Sequence, residues 1–280
     1  MPFYNDIDGI ASDAYLSPCL QLSDDLFGSG NGITLPAIGE YWASEGGYYA
    51  GLIKRNNGDI KAVVAMPRSF SQFQTNQPTL HVPNMTSLWD GQKNFEALMA
   101  WAGYRPSALS YTGETAPAPC LPLNQTAIVN GADSTRQSQV YPGGVNGKRD
   151  WRIPSLYELN LLFRAFKPDT DANAVGVGTF DGLAWGANPA LYPTAGAAHT
   201  ASTPAQTRSA HFRTGGSEAF GNTALRHYMT STEFYSSVGS YGTGTHIYTM
   251  AFTGRSAGAY GVDPKSDQTA LRFVRYVNVG

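Results

Sequence analysis

The segment from Asp150 to Phe166 limits what this chain can fold into more than any other. Ser155 and Glu158 have the spacing of a capping box, in which the serine oxygen accepts a free backbone N–H and the glutamate reaches back to the N–H of the cap residue. Leu159, Leu162, Phe163 and Phe166 follow at i, i+3, i+4 and i+7, which is one apolar stripe of a helix. Lys167-Pro168 stops that helix, because proline disfavours helical geometry at the residue before it. Ahead of the cap, Trp151 and Ile153 alternate with Arg152, the pattern of a short extended segment that enters the helix buried.

The other segments read mainly as strands and loops. Residues 47–66 form an expected β-hairpin: Gly47 to Lys54 and Asp59 to Met66 flank Arg55-Asn56-Asn57-Gly58, and Asn-Gly is the strongest short hairpin signal. Asp90 to Ala102 reads as a second helix, with Asp90 as N-cap, Phe95, Leu98, Met99 and Ala102 as its stripe, and Gly103 as a left-handed stop. Residues 104–146 read as a proline-punctuated loop insertion, either a functional excursion or a place for subunit contacts. Residues 171–216 are rich in glycine and alanine, with turns at Asn188-Pro189, Tyr192-Pro193 and Thr203-Pro204. The tail reads as three strands, 227–232, 246–253 and 270–277, with Tyr248, Met250 and Phe252 on one face of the second. Asp169, Asp171 and Asp181 sit at element ends and suit turns made by side-chain-to-backbone bonds. Residues 1–44, loosened by Gly28-Ser29-Gly30-Asn31-Gly32, read as an N-terminal arm or attachment segment, and residues 45–280 as the domain proper.

Charge and cysteine usage exclude several functions. The formal net charge of -2 argues against nucleic acid, whose binding needs a basic patch to displace counterions. With charged residues at only 14%, a polybasic membrane contact is not expected, and no apolar stretch reaches the length of a membrane span of about 20 residues. Cys19 and Cys120 are too far apart for a zinc ligand pair and too few for a disulfide framework, so two free buried thiols are expected. Met1 to Leu16 carries three aspartates and no apolar core of a signal peptide, so synthesis in a cytoplasm without a signal peptide is expected.

Several phrases resemble a known family. Gly147-Lys148-Arg149-Asp150-Trp151-Arg152-Ile153-Pro154-Ser155, followed by Glu158-Leu159, resembles the G-x-x-D-W-R-(L/I)-P-(S/T)-x-x-E-L signature of the C-type-lectin-like domains of phage tail proteins and bacterial surface proteins. Gly46 to Ile53 and Ala62 to Ala65 resemble their opening hairpin, and Asp90-Gly91-Gln92-Lys93-Asn94 their D-G-x-x-N helix start. Gly215 to Phe220 resembles their G-G-x-E-A-F phrase. Tyr228 to Glu233 resembles their Y-W-S-S-T-E phrase with a methionine in place of the tryptophan, and Leu271 to Val277 their closing strand. The resemblance covers roughly residues 45–277 by scattered motifs. It implies an α+β, C-type-lectin-like fold: two helices packed on small twisted antiparallel sheets with long loops, and a last strand paired with the opening hairpin.

Metal-hydrolase and nucleotide-binding signatures are missing. The five histidines make no H-x-x-x-H or H-x-x-E-H pair, and no Walker loop is present. The formylglycine-generating enzymes share the implied fold but use a cysteine pair in the C-terminal half, where this chain has none after Cys120. The calcium motifs of sugar-binding members are absent: Gln77-Pro78-Thr79 and Asn188-Pro189-Ala190 lack the needed oxygen ligands, and W-N-D does not occur. No catalytic residue, metal or cofactor is expected.

The informative stretch is 222–262. Asn222, Arg226, Tyr235, Ser236, Ser237, Tyr241, Thr243, His246, Tyr248, Arg255 and Tyr260 are threaded there with glycines, with His227, Tyr228 and Thr245 among them. Tyrosine, serine, glycine and asparagine are what adaptable binding loops use, since tyrosine gives large contact area at small rotamer cost. In ligand-binding members of the fold, the face built from this part of the chain meets the partner. In relatives tied to diversity-generating retroelements, the varied residues sit there. The alternation of strand side chains puts part of these tyrosines in the core instead. The expected function is recognition: a homotrimeric tail-fibre or tail-tip protein of a phage virion, displaying these loops to a host cell-surface protein or glycan and contacting other tail subunits. The alternatives are a structural decoration or baseplate subunit, a tail-associated glycan-active enzyme with two carboxylates in a cleft, and a bacterial surface adhesin.

Overall fold

A computed structural model of the chain describes residues 33–55, 57–68, 74–76, 81–100, 110–112, 146–148, 150–175, 179–180, 183–184, 188, 190–192, 198–221, 227–234, 244–254, 256–265 and 269–279. The expected hairpin forms from β2 (Gly47–Lys54) and β3 (Ile60–Ala65), antiparallel, with Lys54 opposite Ile60. Its turn closes by Gly58 N to Arg55 O (2.9 Å), and Gly58 takes a φ of 92°, which glycine adopts without steric cost. A bulge interrupts the ladder between Tyr49 and Gly51. Ahead of the hairpin, β1 (Tyr41–Trp42) pairs with Tyr48 and Gly47, so the main sheet begins upstream of residue 45.

Two helices pack on this framework. Helix α1 (Gly91–Ala100) is capped as expected, with Asp90 Oδ1 accepting from Lys93 N at 3.1 Å. Phe95 is buried, while the side chains of Leu98, Met99 and Ala102 lie outside the described residues. Helix α2 (Leu156–Phe166) has both bonds of the capping box, Glu158 N to Ser155 Oγ and Ser155 N to Glu158 Oε2, and stops at Lys167. The expected stripe is buried, and so is every other α2 residue except Arg164. The helix is covered on more than one side because it touches both β2 and the sheet formed by the C-terminal strands.

That second sheet has the order β11-β10-β9, with β9 at His227–Phe234, β10 at His246–Ala251 and β11 at Tyr260–Pro264. The last strand, β12 (Val274–Asn278), joins the first sheet instead, running antiparallel to β3 from Val274 opposite Ala65 to Asn278 opposite Lys61. The pairing of final strand and opening hairpin is therefore present. Of the three expected tail strands, the first runs on to Phe234, the second ends at Ala251, the third begins only at Val274, and β11 is additional. Residues 270–273 are not strand because they cross between sheets: Ala270 bonds to His227 and Met229, and Phe273 O accepts from Met66 N. Tyr248, Met250 and Phe252 do face one core, and they share it with α2.

Small pairs complete the described structure: β4 (Gln74–Asn76) with β5 (Ser110–Thr112), β6 (Thr179–Phe180) with β7 (Leu183–Ala184), and β8 (Leu191–Tyr192) on β2. Ser110–Thr112 is thus a strand within the expected loop, and most of 104–146 lies outside the described residues, as do Cys19 and Cys120. Among the described residues the architecture is α+β, two α-helices with curled antiparallel sheets. Its largest core stacks Phe166 on Phe212 (3.9 Å) and Phe220 on Phe252 (4.2 Å). Asp169 makes the expected turn bond, accepting from Asp171 N.

Candidate recognition surface on the C-terminal sheet

Strand β9 is the most constrained element of the second sheet. Its outer edge is fully used: Met229 N donates to Ala270 O, Ser231 N to Pro154 O (2.7 Å) and Glu233 N to Met85 O (2.7 Å). The polar side chains of the strand are buried because they bind helix ends. Thr232 Oγ1 accepts from Leu156 N (3.0 Å), the first residue of α2, and donates to Ser87 O (2.9 Å) ahead of α1. Asn94 of α1 lies within hydrogen-bond distance of Ser231 and Thr232. Residues that resemble a tail-protein phrase in the sequence therefore fasten both helices to one strand, which satisfies backbone N–H groups that a helix start leaves open.

At the Phe234 end of β9 the buried pair Glu233 and Lys265, met by the exposed His81, closes the sheet. Glu233 accepts from Val82 N with both carboxylate oxygens, meets His81 Nδ1 at 2.7 Å and takes a hydrogen bond from Lys265 Nζ. Burial lowers the pKa of Lys265, and Glu233 opposes that shift. Lys265 N also donates to Thr245 O. Gly244 has a φ of 77°, and a Cβ there would lie 2.4 Å from the Cβ of His81, so only glycine fits where the chain re-enters β10. His246 follows, its Nδ1 2.8 Å from Thr245 Oγ1.

A different cluster crosses the face of the sheet over Thr249, joining β9 to β11. Asp263 Oδ2 meets His227 Nδ1 at 3.0 Å and accepts from Thr249 Oγ1 at 2.8 Å. The hydrogen bond from His227 outweighs burial and holds the Asp263 carboxyl below its ordinary range. His227 is half exposed, so the pair is worth little to stability. Tyr260 lies at the His227 end of the sheet against α2, where burial pushes its hydroxyl well above the ordinary value near Asn160, Tyr157 and Arg164.

Of the residues picked from the sequence, His246, Tyr248 and Tyr260 are described, and Asn222, Arg226, Tyr235, Ser236, Ser237, Tyr241, Thr243 and Arg255 lie outside the described residues. Tyr248 is half-buried and packs edge-on to Phe234 at 5.3 Å, so it belongs largely to the core. Topology separates the rest into two groups. Residues 235–243 join Phe234 to Gly244 at one end of the sheet, whereas 222–226 lead into His227 and Arg255 follows Ala251 at the other. At ~3.3 Å per residue, the five steps of β10 from His246, opposite Phe234, to Ala251, opposite His227, set these ends about 16 Å apart. His246 thus goes with 235–243, and Tyr260 with the opposite group. Sequence reasoning missed His81, Glu233 and Lys265 as a unit, since nothing in their spacing links residues from three separate segments.

No protein-family model, no curated protein and no solved structure matches the chain. Among the described residues, no group of three or more His, Cys, Asp or Glu side chains is placed to hold a metal ion, and no helix is long and apolar enough to cross a membrane.

Proposed function

We propose that the chain is a C-type-lectin-like domain of a phage tail, a receptor-binding component that meets a host surface ligand with the segment 235–243 and its neighbours. The observation that carries this reading is the seating of that segment's two ends. Phe234 and Gly244 bracket it, and both adjoin the buried Glu233–Lys265 pair and the exposed His81 that meets it, on a strand tied to two helices. A tyrosine- and serine-rich segment held by a stiff base binds without losing base entropy, which favours affinity. The motif resemblance supports the same assignment, with the final strand on the opening hairpin as that fold requires.

A non-catalytic role fits the carboxylates. Asp90, Glu158, Glu218 and Glu233 are buried and each is engaged by an arginine or lysine. A glycosidase needs one carboxyl free to protonate a leaving group and a second to act on the sugar. Within the virion the protein would act as a homotrimer beside other tail subunits.

The test replaces Tyr235 and Tyr241 with alanine and leaves Tyr248 alone, because its ring packs on Phe234. Particles or purified protein should lose host-cell adsorption by about tenfold or more, the scale of two interface aromatics. The thermal midpoint should stay unchanged. Unchanged adsorption by the folded double variant would remove this segment from the binding surface.

A further inference from the structure

A groove of about 310 Å³ opens beside the segment that leads into α1, lined by Asn84, Thr86, Ser87, Leu88, Trp89 and Lys93. That volume is at the small end of ligand pockets, enough for one ring-sized molecule. None of these residues belongs to the 222–262 stretch, so different substitutions alter the groove and the surface proposed above.

The walls are fixed before any ligand arrives. Ser87 N donates to Asn94 Oδ1 and Asn94 Nδ2 returns a bond to Ser87 O, both at 2.8 Å. Leu88 O accepts from Tyr157 N (2.9 Å), and Met85 O from Glu233 N (2.7 Å). Trp89 packs edge-on to Tyr157 at 4.8 Å, and its carbonyl accepts from Tyr276 Oη. Asn84 is exposed and holds a φ of 67°, a left-handed conformation that costs energy for any residue with a side chain and that asparagine bears best.

The lining chemistry narrows the ligand. Asn84 offers an amide that both donates and accepts, and Thr86 and Ser87 offer hydroxyls. Ser87 Oγ accepts from Asp90 N (3.0 Å), which leaves its O–H to donate. Leu88 and the half-buried Trp89 supply an apolar floor. Among the described lining residues, Lys93 alone is charged. The neighbouring carboxylates are already engaged: Asp90 Oδ1 takes Lys93 N and its Oδ2 takes Arg55 Nε (3.0 Å) and Nη2 (2.5 Å), and Glu96 Oε1 takes Gln92 Nε2 (2.8 Å). A matching ligand has several hydroxyls, one apolar ring face and a single negative charge. A nucleotide brings more phosphate charge than one ammonium balances, and an aliphatic peptide leaves the hydroxyls unmatched. We propose that this groove binds an acidic sugar unit, a uronic or sialic acid residue, with its carboxylate on Lys93 and its ring over Trp89.

The full chain is titrated with glucuronic acid, N-acetylneuraminic acid and glucose, followed by ligand-observed saturation-transfer NMR and calorimetry. One of the two acids should bind saturably with a Kd on the order of 1 mM, ordinary for a single ring. Glucose should bind at least about fivefold more weakly, since it lacks the charge that Lys93 meets. Lys93→Ala, at an exposed helix position where folding is not at risk, should bring the acid down to the affinity of glucose, and Lys93→Arg should keep it. Thr86→Ala should weaken all the sugars alike. The proposal is overturned if neither acid saturates, if glucose binds as well as the acids, or if Lys93→Ala leaves acid binding intact. Sugar binding and host adsorption are separate readouts, so either proposal can fail while the other stands.

Discussion

Glu158 performs two tasks at once. Its Oε2 accepts from Ser155 N to complete the helix cap, and both its oxygens take the Arg152 guanidinium, at 2.8 and 2.7 Å. Arg152 lies over the Tyr276 ring at 4.0 Å and is wholly buried. Burial alone would lower the pKa of that guanidinium, and the Glu158 carboxylate more than reverses the effect. Such a pair contributes little net stability, but breaking it leaves an uncompensated charge inside. Glu158→Ala should therefore cost about 3–5 kcal/mol in urea unfolding. Adding Arg152→Met to it should return part of that loss, because the stranded charge is then gone. A cost below about 1 kcal/mol for Glu158→Ala would show that water reaches the guanidinium. Gly91 reports on the same spot. A Cβ there would sit 2.5 Å from Glu158 Oε2 and 2.9 Å from Ser155 N, so the start of α1 can approach the cap of α2 only as glycine. Gly91→Ala should destabilise by about 1–3 kcal/mol, despite alanine's better helix propensity.

At the scale of elements, α2 and β9 depend on each other. Ser155→Ala removes one cap acceptor and should cost about 1 kcal/mol. Thr232→Val keeps the shape of β9 but strands the buried N–H of Leu156, while the Ser87 carbonyl keeps its bond from Asn94, and should cost about 1–3 kcal/mol. If the valine variant were the milder of the two, the strand-to-helix bond would not be what seats α2. These two elements also show what the residues reveal by themselves. The cap and stripe of α2 are legible because they are local, set by spacings of three and four. That Glu158 and Asn160 are buried is not, because they read as a polar face and their cover comes from strands far along the chain. Strand β11 is hidden by composition, since Tyr260-Gly261-Val262-Asp263-Pro264 holds a glycine, an aspartate and a proline, all poor strand formers. In the sequence, 222–262 reads as one continuous recognition stretch. Antiparallel pairing sends its halves to opposite ends of the sheet, a long-range consequence that composition does not carry.

For the whole molecule, stability against pH is set by groups that folding prevents from changing charge. His199 is buried beside Phe163 (5.4 Å). Burial, with the positive charge of Arg164, pushes its imidazole from 6.5 down to about 3. Between those values the unfolded chain binds a proton that the folded chain refuses, so stability falls as the pH drops through that window. A shift of that size is worth on the order of 4 kcal/mol by pH 3. Asp263 adds to the same limb at lower pH. Its depressed pKa stabilises the fold above the ordinary carboxyl value, and this is lost as the group is protonated. On the alkaline side, burial and then the Glu218 carboxylate raise the Tyr48 hydroxyl from 10.0 to about 12. The unfolded chain therefore ionises first, and stability falls as the pH rises from about 10. Lys265 acts in the opposite sense. With its folded pKa lowered by burial, the unfolded state keeps the proton longer and stability rises with pH toward 10.5. Urea midpoints measured from pH 3 to pH 11 should therefore trace a dome with its crest at about pH 7–10. His199→Gln should flatten only the part between pH 6.5 and about 3, because the amide has no proton to gain. A wild-type curve that stays level down to pH 4.5 would mean that His199 is protonated in the folded state, and its burial against α2 would have to be wrong.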